Sequence, residues 1–123
     1  VSDERQLFTI EEARRLMPEV REHAASVIEV RADLAELAAS ISAGEGSTLG
    51  GVPEAKALEA QLHELLTWFT SAGIELKGWA PMLVDFPSML DGDDVLLCWL
   101  EGELDLEWYH RVELGFPGRR RLP

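Results

Sequence analysis

A chain of 123 residues with 46% hydrophobic content has the size and apolar fraction of one globular domain, so residues 1–123 are expected to share a single core. Its 23 acidic against 11 basic side chains give a formal charge of −12, which argues against nucleic acid and anionic membrane surfaces as partners. The lone cysteine, Cys98, rules out an internal disulfide and a thiol-rich zinc cluster and suits a reducing compartment, so a cytoplasmic protein is expected. VSDERQLFT lacks the basic-then-apolar layout of a leader, and no apolar run approaches the roughly 20 residues that span a bilayer.

In chain order the first strong signal is Phe8-Thr9-Ile10-Glu11-Glu12, where Thr9 and Glu12 have capping-box spacing and Phe8 can staple onto the first turn. Apolar residues then recur in sevens. Ala13, Val20, Val27, Leu34 and Ile41 mark one seam position; Leu16, Val30 and Leu37 mark the other, with His23 as its polar member. Pro18 falls inside this run and predicts a kink or a restart, the unbroken heptad favouring a kink. Residues 44–51 read as a flexible connector, and Pro53 suits the first turn of a second helix with Ala55, Leu58, Leu62, Leu65, Phe69 and Ala72 as its seam. Two facing seams make an antiparallel hairpin over residues 9–73, with Gly73 as its stop.

Past Gly73 the period changes from seven to two, with strands expected around Ile74–Lys77, Met82–Phe86, Val95–Leu100 and Leu104–His110 within residues 74–112. If Asp91-Gly92 and Glu101-Gly102 are both simple hairpin turns, one face carries Val84, Phe86, Val95, Leu97, Trp99, Leu104, Leu106 and Trp108, and covers the start of the first helix. His110 then lies at the margin of that inward face. The other face carries Asp85, Leu96, Cys98, Leu100, Asp105, Glu107 and Tyr109, a mixed set expected to form a half-buried subunit interface. A basic tail, residues 113–123, can lie back on its own acidic domain or on a second copy. The fold class is thus α+β, a long antiparallel helical hairpin packed on a small antiparallel β-meander.

No P-loop, GxGxxG, GxSxG, HExxH or CxxC pattern is present. Glu19 with His23, and Glu59 with His63, have helical i,i+4 spacing; the ordinary reading is a register-setting residue for His23 and a surface pair for His63. Glu107 and His110 have the Glu-x-x-His spacing of helical di-iron sites, but on a strand they point to opposite faces. Asp85, set among Leu83, Val84 and Phe86, is a carboxylate with apolar neighbours, either a turn anchor or part of a binding site. Cys98, between Leu97 and Trp99, reads as a small buried hydrophobe rather than a nucleophile.

Several blocks together resemble a family of prokaryotic proteins, domain of unknown function 2203, over almost the whole chain. They are Phe8-Thr9-Ile10-Glu11-Glu12-Ala13 with Leu16 and Pro18, Leu83-Val84-Asp85-Phe86-Pro87, Leu97-Cys98-Trp99 with Gly102-Glu103, Trp108, His110, and Gly115-Phe116 with Gly118-Arg119. The resemblance implies no particular activity. It draws attention to Asp85, Glu103, His110 and Arg119 as a candidate binding or structural polar cluster. His23, where the family usually has an apolar residue, and Trp79-Ala80-Pro81, where a Lys-Asp type segment is common, depart from the pattern and take weight from sites built there.

The leading functional expectation is a non-catalytic, self-associating binding module, a homodimer that buries flanking residues such as Leu66 and Trp68 and displays a small acidic or metal-binding pocket. The competing one is a small metal-dependent hydrolase-like enzyme using His110 and Asp85, with Glu103, as ligands or acid–base groups. A third is a nucleic-acid accessory bound through Arg119, Arg120 and Arg121. A small ligand or a metal ion is the candidate partner besides a second copy, and the cofactor is left unspecified.

Overall fold

The computed structural model describes residues 6–123; residues 1–5, on which the expectation about a leader partly rests, lie outside the described residues. The element order is α1 (Ile10–Ala43), α2 (Val52–Ser71), β1 (Glu75–Trp79), β2 (Met82–Leu90), β3 (Asp93–Leu100), β4 (Trp108–Arg111), a 3-10 turn (Phe116–Gly118) and β5 (Arg120–Arg121). The five strands form one antiparallel sheet in the order β1-β2-β3-β4-β5, so the chain is α+β. No helix among the described residues is long and apolar enough to cross a membrane. The chain packs as two compact units, one comprising the segment up to Arg21 with Phe69–Pro123, the other Glu22–Trp68.

α1 opens on the capping box that the sequence predicts. Glu12 donates its backbone N–H to Thr9 Oγ1 at 3.0 Å, and Thr9 donates its own to Glu12 Oε1 at 2.9 Å. The helix runs unbroken past Pro18, so there is no restart. In the first unit its buried residues are Ala13, Met17 and Val20; Leu16, the predicted seam residue, is only half-buried. A 3.6-residue helix with a broad apolar stripe does not hold a strict 3.5 repeat, and here Met17 takes the place expected for its neighbour.

In the second unit Ala24, Val27, Val30, Leu37 and Leu62 are buried, while Ile41, expected in the seam, is 38% exposed near the end of α1. The His23 and Trp68 rings stack with centroids 3.8 Å apart and planes 9° from parallel, which sets these two helical segments antiparallel. His23 therefore spends its ring on packing, and Trp68, expected to flank a dimer contact, has an aromatic partner within the chain.

In the first unit the sheet is built from local turn chemistry. Asp91 and Gly92 both have positive φ, 52° and 83°, as a two-residue type I′ hairpin between β2 and β3 requires. The resulting register sets Val84 opposite Trp99 and Phe86 opposite Leu97, as expected. β1 stops short of Pro87, and beyond it the chain before α1 takes over. The Phe8 N–H donates to the Pro87 carbonyl at 2.7 Å, the Ser88 hydroxyl donates to the Phe8 carbonyl at 2.5 Å, and the Phe8 ring meets Phe86 edge-on at 5.3 Å. Proline is tolerated at this place because no ladder bond needs its missing N–H.

The second reversal differs from the expectation. Glu101 and Gly102 turn the chain, but β4 does not begin until Trp108, and the intervening stretch is irregular. β4 consequently pairs Cys98 with Trp108 and Leu96 with His110. This pairing is three residues out from that of a two-residue turn, and an odd shift exchanges the faces of a strand, so Trp108 and His110 lie on the face of Asp85 and Cys98, not with Leu97 and Trp99. Leu104, assigned to the inward face, is 76% exposed, whereas Leu106 is buried at 1%. The mixed face is buried at its centre within this single chain, through Asp85, Leu96, Cys98 and His110, rather than half-exposed.

Thr9→Ala removes one half of the capping box and is expected to destabilise the fold by about 1 kcal/mol in urea unfolding, with Thr9→Ser close to unchanged.

Candidate functional site

Three strands bring polar side chains to one face of the sheet. Asp85 on β2 lies opposite Cys98 on β3, and His110 on β4 reaches across β3 toward Asp85. All three are buried, with exposures of 2%, 0% and 3%. One ligand-type atom from each, a carboxylate oxygen, the thiol sulfur and an imidazole nitrogen, lies within 4.8 Å of the other two. β1 adds a fourth group through a bulge between Leu76 and Gly78, which places Lys77 with its ammonium 3.7 Å from Asp85 Oδ2 and 3.2 Å from Glu75 Oε1.

The hydrogen-bond inventory of this cluster is incomplete. His110 Nδ1 is 2.9 Å from the Arg111 carbonyl oxygen, which can only accept, so the Nδ1 proton is committed there. Nε2 then faces Asp85 Oδ2 at 3.3 Å. A neutral imidazole in this tautomer presents a lone pair to an ionised carboxylate. The contact is favourable only with a second proton between the two atoms or a cation bridging them. Asp85 Oδ1 is buried and has no hydrogen-bond partner.

Burial pushes the Cys98 thiol up from 9.0 to about 12, helped by the neighbouring Asp85 charge and opposed by the Arg119 guanidinium; a hydrogen bond to Asp85 and the Glu103 charge add in the same direction. A thiol so placed stays protonated and is a poor nucleophile, in line with the reading of Cys98 as a buried apolar residue.

Glu103 and Arg119 form a second pair, near enough for both charges to act on the Cys98 thiol. Arg119 Nη2 donates to Glu103 Oε2 at 2.6 Å, and the guanidinium carbon lies 4.7 Å from the Trp108 ring centroid and 4.8 Å from that of Phe116. Glu103 Oε1 accepts the Leu100 N–H at 2.8 Å, and its main-chain carbonyl accepts Trp99 Nε1–H at 2.8 Å. Both Glu103 side-chain oxygens are thus engaged, and Glu103 does not join the buried group around Asp85 and His110. The third member is Cys98, which the alternation had placed beside Asp85 but which its apolar neighbours had marked as core.

The remaining sequence candidates do not join this cluster. Glu59 pairs with Lys56 at 3.5 Å, and His63 is exposed. Glu107 is ion-paired with Arg121, so Glu-x-x-His makes no joint site. The basic tail returns onto its own chain. β5 pairs with β4, and Arg119 and Arg121 are engaged by Glu103 and Glu107.

A family model described as an uncharacterized conserved protein (DUF2203) matches residues 6–122, nearly the whole chain, and the chain belongs to that family. No curated protein and no solved structure matches it.

The raised thiol has a defined consequence for chelator-treated protein. With Cys98 titrating near 9.0 unfolded and about 12 folded, the unfolded state holds fewer protons between those values. Its contribution to stability is therefore complete below the lower value and is lost as pH rises toward the upper one. Urea midpoints should fall more steeply above pH 9 in wild type than in Cys98→Ala, and a thiol reagent should label Cys98 only at the rate of unfolding.

Proposed function

We propose that this member of the DUF2203 family is a non-catalytic binding module that holds one transition-metal ion of the zinc class through Asp85, Cys98 and His110. The observation that carries the reading is the unmet chemistry of the buried trio: an imidazole nitrogen with its other nitrogen committed to a carbonyl, a carboxylate oxygen without a partner, and a thiol within 4.8 Å of both. A backbone carbonyl holding Nδ1 so that Nε2 is free is the usual outer support of a metal-binding histidine. A mixed sulfur, nitrogen and oxygen donor set suits a borderline cation such as Zn²⁺ better than Mg²⁺ or Ca²⁺. Lys77 does not bar the site, because its ammonium is shared with Glu75 and its side chain is 42% exposed, free to swing toward water. Exposures of 3% or less at all three ligands leave no route for a substrate to the ion, which favours binding over hydrolysis. A cytoplasmic setting fits the free thiol.

Self-association is a second reading, favoured by a separate observation. Trp79, Pro81, Leu83, Leu100 and Phe116 line an open cleft of about 580 Å³ with no charged residue in its lining, and Trp79 and Phe116 are 44% and 40% exposed. On a chain of net charge −12, an uncharged apolar hollow is the surface on which two copies can meet with least repulsion.

Elemental analysis of protein purified without chelator should find close to one zinc-class ion per chain, and His110→Ala should lose it. Cobalt(II) substituted into the site should give a thiolate-to-metal charge-transfer band that Cys98→Ser removes. A folded wild-type protein that takes up no metal, and whose thermal midpoint ignores both zinc and chelator, would end this reading. For self-association, light scattering at micromolar concentration should report a dimer that Trp79→Asp converts to monomer; a monomeric wild type removes the second reading and leaves the first intact.

A further inference from the structure

Away from the buried trio, the first unit contains a cleft of about 460 Å³ lined by Arg14, Met17, Pro18 and Arg21 on α1 and by Asp105, Leu106, Glu107, Arg121 and Leu122 on the sheet side. Its volume lies within the range of small-molecule sites. From its charge and shape we infer that this cleft binds an amphipathic monocarboxylate, a single carboxylate group on an apolar body.

The arginines carry the argument. Arg14 and Arg21 are seven residues apart, two turns of one helix face, and each is held by a main-chain carbonyl rather than by a carboxylate. Arg14 donates Nε–H to the Leu106 carbonyl at 3.2 Å, and Arg21 donates from Nη1 to the Leu104 carbonyl at 3.0 Å. No acidic side chain among the described residues pairs with either, although the chain carries 23 acidic groups. A guanidinium has five N–H donors in a rigid fork, so one tether fixes its plane and leaves donors for a planar oxyanion. Arg121, from β5, is already neutralised by Glu107.

Charge selects among oxyanions. Three arginines against Asp105 and Glu107 leave the lining with one net positive charge. A singly charged carboxylate balances it. A doubly charged phosphate monoester leaves an excess negative charge in a cleft on an already acidic protein, at a distance where the two lining carboxylates are not screened by salt. Met17, Pro18, Leu106 and Leu122 supply the apolar floor against which the ligand body lies, and Leu106, buried at 1%, anchors that floor in the core.

The probe is 4-phenylbutyrate, followed by amide chemical-shift changes in the labelled full chain, with its primary amide and 4-phenylbutyl phosphate as comparisons. The acid should shift Asp105, Leu106 and Leu122 saturably, and at least ten-fold more tightly than either comparison compound. Arg21→Gln should weaken it at least ten-fold. Asp105→Asn, an exposed loop change that leaves both tethers in place, should tighten it several-fold by raising the net charge of the lining. Binding of the amide as tightly as the acid, tighter binding of the phosphate, no saturable shift at millimolar acid, or an Asp105→Asn variant that binds no better would each overturn the assignment. None of these outcomes bears on the metal reading, since metal content is measured separately.

Discussion

A carboxylate withdrawn from water forfeits solvation worth several kcal/mol, and the sheet is arranged around recovering that loss at Asp85. Each neighbouring strand supplies one form of compensation: an ammonium from the bulge in β1, a thiol donor from β3 and an imidazole from β4. None is complete. The ammonium is held at 3.7 Å and shared with Glu75, the thiol is a weak donor, and the imidazole has committed its Nδ1 proton elsewhere. The unpartnered Oδ1 is what remains after all three have been counted.

The two polar pairs act in series. His110 meets Asp85 only because the irregular segment between β3 and β4 moves β4 by three residues, an odd number, relative to a simple hairpin. That segment is fastened by Glu103, whose side chain takes the Leu100 N–H and whose carbonyl takes the Trp99 indole. Glu103 is in turn held by Arg119, which is sandwiched by Trp108 and Phe116. The Glu103–Arg119 pair thus fixes the register, and the register assembles the trio. The Pro117–Gly118 turn has its own part in this: a Cβ added at Gly118 would come within 2.6 Å of Leu114 Cβ, so the turn that delivers Arg119 needs glycine there.

What could be read from the sequence was what short-range chemistry decides. The Thr9–Glu12 box, the break between helices at residues 44–51 and the Asp91-Gly92 turn each depend on a few neighbouring residues, and each is found where their side chains predict it. The face of β4 was not legible, because Leu104, Leu106 and Trp108 alternate like a strand although the first two are not in one. A Gly after an acidic residue signals reversal equally well for a two-residue turn and for a longer excursion. That ambiguity put His110 on the wrong face and so hid its meeting with Asp85 and Cys98. β5 left no signal, since a strand of two residues has no period to detect.

Packing does not account for the trio. Leu96, opposite His110 on the same face, is buried like the trio, and hydrophobic side chains of similar volume at 85 and 110 would fill the same space without the cost of desolvating two ionisable groups. A buried imidazole and carboxylate that satisfied each other fully would still be a costly way to hold two strands already joined through β3 by continuous ladders. Here they do not satisfy each other, and a thiol that gains nothing from ionising is set beside them. The arrangement is disadvantageous as a core and well formed as a set of donors; on the reading proposed above, His110 Nε2, the Asp85 carboxylate and the Cys98 sulfur would hold a cation whose charge would make the thiolate the stable form of Cys98.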